Sequence, residues 1–139
     1  MKARAFLIFC AVGLVPIALG YGAKPSASLE MLFGITVDTT NLTHIMRAVM
    51  GLYLGMVVIW VWGALNKKMT APALVSCAVF MLGLAAGRIL SFVVDGTPHW
   101  LLVVYAILEI VLGLAAVAIL KGQDSTDNGN PPINNGTQK

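Results

Sequence analysis

Charged side chains are scarce in this chain: Asp, Glu, Lys and Arg together make up 11% of its 139 residues. An ordinary soluble domain carries roughly 25%. So little charge cannot coat a water-facing surface, which argues against a soluble globular protein. A nucleic-acid partner is not implied either, because the net charge of +3 comes from basic residues scattered along the chain rather than clustered against a phosphate backbone. Cysteine is nearly absent. Cys10 and Cys77 each lie inside an apolar run, without ligand spacing to another Cys or to a His, so neither a disulfide framework nor a metal site is expected. His44, His99, Asp38 and Asp95 offer donor atoms but come from separate positions with no local ligand spacing. Nucleophile motifs, phosphate-binding glycine loops and paired catalytic carboxylates are missing, and no cofactor is implied. The paired broken helices of a secondary transporter are missing too.

What the chain does have is long apolar blocks, in keeping with its 58% hydrophobic composition. A bilayer core about 30 Å thick is crossed by roughly 20 apolar residues of helix, since an open backbone finds no hydrogen-bond partners in lipid. Stretches of about 5–23, 44–65, 71–94 and 100–120 meet that length. The expected fold is therefore an all-α, four-helix transmembrane bundle over residues 1–120, with a disordered polar tail at 121–139. Short connections at 66–70 and 95–99 make the last three spans antiparallel neighbours. In the longer loop, 24–43, the apolar patch from Leu29 to Ile35 is too short to span and is expected to lie in the interface or dip back over the bundle.

Orientation follows from the flanking basic residues, which are enriched on the cytoplasmic side. With both termini inside, that side carries Lys2, Arg4, Lys67, Lys68, Lys121 and Lys139, and the other only Lys24. Trp60, Trp62, Tyr21 and Trp100 fall near span ends, as interfacial aromatic rings do. The basic start and small residues near Ala23 also resemble a signal peptide, but the long apolar run and the close-following Pro25 favour an uncleaved helix.

Three ionisable residues fall inside the spans: Arg47, Arg88 and Glu109, at roughly 5, 10 and 13 Å below the outer boundary. A charge at a lipid-facing helix centre costs roughly 2.5–3.5 kcal/mol. These three should therefore face the interior as a cluster, with Asp95 able to join. Such a cluster is either a neutral clasp that fixes helix register or, through its excess of arginine, a site for an anionic or amphipathic molecule. Close helix packing is expected at Gly51 and Gly55, at Gly83 and Gly87, and at Gly113, because glycines four apart share a face and admit a neighbouring backbone.

The run from Asn41 through His44, Arg47 and Gly51 to Tyr53, then Gly87-Arg88, Asp95-Gly96-Thr97-Pro98, and Tyr105 to Glu109, resembles the bacterial family catalogued as domain of unknown function 4345. The likeness extends from Gly20 to Leu120. It implies a small multi-pass protein of the bacterial inner membrane and brings no activity with it. The function expected on these grounds is a non-catalytic membrane component surrounded by lipid bilayer, which forms a homo-oligomer or joins a larger membrane complex. The alternative is a binder or carrier of a small anionic or amphipathic molecule.

Overall fold

A computed structural model describes residues 2–127. The chain forms helices α1 (Lys2–Gly22), α2 (Pro25–Phe33), α3 (Thr40–Leu65), α4 (Thr70–Val94) and α5 (Trp100–Asp127), with a 3₁₀ turn at Lys67–Met69 before α4. No strand occurs among the described residues. Four of the helices are long and apolar enough to cross a membrane.

Two boundaries differ by a full turn or more from those expected. Helix α3 starts one turn early because the Thr39 hydroxyl accepts the Leu42 N–H at 3.2 Å, capping an otherwise open donor. Helix α5 runs past Leu120 to Asp127, into the stretch expected to be a disordered tail. Extending a formed helix costs far less than starting one, and no proline intervenes before Pro131. The rest of that tail, 128–139, lies outside the described residues.

The apolar patch of the long loop is α2. Pro25 occupies its first turn, where no N–H is needed, and Gly34 closes it in the left-handed conformation (φ 68°) with its N–H on the Glu30 carbonyl. Leu29 is buried, and the Phe33 ring stacks near Tyr21 (centroids 6.2 Å apart) and meets Tyr105 edge-on (6.4 Å). Helix α2 thus roofs one end of the bundle.

The long helices pack as two antiparallel pairs. Helix α1 lies along α3 and α4 along α5, the pairs meet through α3 and α4, and α1 and α5 barely touch. Antiparallel order is visible in the contacts: Gly22 sits beside Met46 and Met50, whereas Leu7 sits beside Gly63. Lys2, the Lys67–Met69 turn and Lys121 consequently share one end of the bundle, while α2 and the α4–α5 connection share the other.

Apolar packing is densest between α1, α3 and α4. Leu7, Trp60, Leu74 and Cys77 are fully enclosed there. Trp60, five residues before the end of α3, is buried among the helices: the indole N–H donates to the Ser76 hydroxyl at 3.2 Å, and that hydroxyl donates to the Ala73 carbonyl at 2.8 Å. Satisfied this way, the ring goes inside. Trp62 and Trp100 remain exposed. The α3–α4 turn is held by the Thr70 hydroxyl, which donates to the carbonyls of Gly63 (2.8 Å) and Asn66 (3.2 Å).

Candidate functional site

Inside the spans, the structure joins two of the four charged residues singled out above. Arg88 of α4 meets Glu109 of α5 in a forked contact: Nε donates to Oε2 at 2.8 Å and Oε1 at 3.0 Å, and Nη2 donates to Oε1 at 2.9 Å. The guanidinium side chain is 17% exposed and the carboxylate 10%. Two planar groups sharing several charge-assisted hydrogen bonds form the least costly way to hold either charge away from water. Nη1 takes no part in the fork.

Aromatic rings surround this pair. The Arg88 guanidinium carbon lies 5.7 Å from the Tyr105 ring centre, within cation–π range. Tyr21 stands close to the same guanidinium and packs edge-on against Tyr53 at 5.7 Å. Tyr53 in turn contacts Phe80 at 5.1 Å, and Phe80 contacts Trp60 at 5.8 Å. A continuous file of rings thus links the charged pair to the enclosed core.

Arg47 and Asp95 stand outside the pair, which corrects the expected grouping. Arg47 is exposed and makes no ion pair among the described residues. It lies within two turns of the start of α3. Asp95 ends α4, is exposed, and accepts the Ser91 hydroxyl at 2.7 Å. The buried charge is therefore balanced one to one, without the arginine excess expected for an anion site.

The glycines divide differently from the expectation as well. A methyl group added at Gly51, Gly55, Gly83 or Gly87 would meet nothing within 4 Å, so these faces make no close contact within the chain. Gly113 does, with Leu82 atoms at 2.7 Å. Two close approaches had no spacing signal in the sequence: Gly22 against Met50, and Gly63 against Ala73.

Cys10 and Cys77, far apart in sequence, are both buried, and their thiols come within hydrogen-bonding reach between α1 and α4. His99 packs its ring on Phe33 (6.2 Å) and Trp100 (5.7 Å). Among the described residues, no three of His, Cys, Asp and Glu gather as a metal site would require.

Beside the ion pair, the gap between α1 and α5 holds two cavities of about 270 and 260 Å³. The first reaches inward to Tyr53, Met81 and Glu109, and the second lies beneath Leu32 and Phe33 of α2. Ile17 and Tyr105 line both.

The family model described as Domain of unknown function (DUF4345) matches residues 2–120, and the chain belongs to that family. No curated protein and no solved structure matches it.

Proposed function

We propose that this member of the family is a non-catalytic, multi-pass component of the bacterial inner membrane that associates with a second copy of itself, or with helices of a larger complex, through the open glycine faces of α3 and α4. The observation that carries this reading is the empty space over Gly51, Gly55, Gly83 and Gly87. Between helices in lipid, association rests on close packing rather than on escape from water, and small residues four apart allow backbones to approach. The charged pair is balanced one to one within its own fork, which fits a structural clasp better than a site for an anion.

Association is tested by Gly51→Leu and Gly83→Leu. The first carbon of either side chain meets nothing within 4 Å in the free chain, so the monomer should stay folded with a melting point close to that of the parent. The dissociation constant of the assembly should rise tenfold or more, equivalent to about 1.4 kcal/mol. Energy transfer between labelled copies in lipid vesicles measures it, and unchanged transfer in both variants refutes the association.

The same reading has both termini in the cytoplasm. Its support is that Lys2, Arg4, Lys67, Lys68 and Lys121 gather at one end of an antiparallel bundle, with Lys24 at the other. A phosphatase reporter joined to the C-terminus should stay inactive and a fluorescent protein there should fold. Active exported phosphatase reverses the orientation.

A further inference from the structure

We propose that the cleft between α1 and α5 is a binding site for a single-chain, electrically neutral amphipathic lipid, such as a long-chain alcohol. The inference does not rest on the association reading, because it concerns the opposite helices of the bundle.

Depth is the first argument. The gap is more than a seam between two lipid-facing helices, for its wall includes Tyr53, Met81 and Glu109, each less than a tenth exposed. Protein interiors rarely leave such space unfilled, and a wall this apolar is a poor host for water, which needs several polar partners. An apolar body is the fitting occupant. Together the two cavities fall within the roughly 300–1,000 Å³ of known ligand pockets.

Shape is the second. The lining on α1 recurs along one face as Phe9, Gly13, Ile17 and Tyr21. Twelve residues of helix measure roughly 18 Å, close to the roughly 15 Å depth of one leaflet's hydrocarbon, half of the bilayer core. Gly13 supplies the room: a methyl group added there would meet nothing within 4 Å. Two small cavities following one another along a single helix face suit one chain better than a compact molecule or a two-chain lipid.

Charge is the third. Glu109 is the ionisable acid on the wall, and Arg88 already neutralises it. The lining holds no Lys, Arg or His to balance an anionic head, and a cationic head would have to compete with the guanidinium for Glu109. A neutral hydroxyl or carbonyl meets neither obstacle. At the end of the cleft under α2 it finds Tyr21 and Tyr105, whose phenol hydroxyls can both donate and accept. The head then sits at the same end of the bundle as the interfacial helix α2, and the tail points toward the bundle middle, as in a bilayer leaflet.

Photolabelling of the full chain in phosphatidylglycerol nanodiscs tests this. The probes are hexadecanol carrying a diazirine in its chain, palmitic acid with the same diazirine, and a phospholipid with the same labelled chain. Hexadecanol should label peptides covering Phe9–Ile17 and Tyr105–Leu112, with at least tenfold suppression by excess unlabelled alcohol and at least tenfold loss in Gly13→Phe. The smaller Gly13→Leu should give an intermediate loss, and serves alone where the larger ring prevents folding. Leu114→Phe, at an exposed position outside the lining of either cavity, should label as the parent does. Labelling that resists competition, or that survives both Gly13 variants, overturns the site. Equal labelling by the phospholipid reduces the cleft to ordinary lipid contact, and stronger labelling by the acid overturns the neutral head.

Discussion

Glu109→Gln will lower the stability of the folded protein by about 3–5 kcal/mol, the usual cost of breaking a buried ion pair from one side. The cause is the guanidinium left behind: Arg88, with its side chain only 17% exposed, would keep its charge while losing all the hydrogen bonds it makes to the carboxylate. Removing both charges in Glu109→Gln with Arg88→Met should restore part of the loss, because the desolvation of the arginine disappears with it. Arg47→Gln should change stability by no more than about 0.5 kcal/mol, as for other exposed sites, since Arg47 is exposed and makes no ion pair among the described residues. Chemical unfolding of the parent, Glu109→Gln, Arg88→Met, the double variant and Arg47→Gln in mixed micelles measures all of these differences. Additive losses in the double variant would mean that Arg88 and Glu109 act separately, and the clasp would fail.

The second large effect belongs to Gly63. A side chain there would run into Ala73 and press on the Met69 carbonyl oxygen at 3.0 Å and on Leu7 at 3.4 Å, so three segments converge on a space that only hydrogen can occupy. Overpacking usually costs about 1–3 kcal/mol. Gly63→Leu should reach or exceed the upper figure, because the obstructing atoms include backbone. The turn would be disturbed at the same time, since the Gly63 carbonyl accepts the Thr70 hydroxyl. Gly113→Ala should cost less, as its obstacle is chiefly the flexible end of Leu82. A midpoint for Gly63→Leu equal to that of the parent would refute the close approach of α3 and α4 at this turn.

These contrasts mark what a sequence of this kind carries. Length and hydropathy by themselves determined the long apolar helices, because a backbone without water must bond to itself and needs about 20 residues to do so over a bilayer's thickness. The short connections determined the antiparallel order of α3, α4 and α5. The cost of an intramembrane charge determined that Glu109 and Arg88 turn inward. Arg47, within two turns of the start of α3, stayed exposed instead.

The rotation of each helix about its own axis was decided only in the tertiary structure. A helix that is apolar on every side carries no polar stripe to mark its outer face, so the spacing of Gly51 and Gly55 says that they share a face without saying what lies opposite. Gly63 and Gly22, with no such spacing, became the close contacts, and Trp60 went inside once Ser76 on the neighbouring helix could accept its N–H. The α1–α5 cleft was likewise invisible in the sequence. It exists because α1 pairs with α3 and α5 with α4, leaving their remaining sides apart around Gly13, and a gap between two segments some 90 residues apart is a property of packing that neither segment encodes alone.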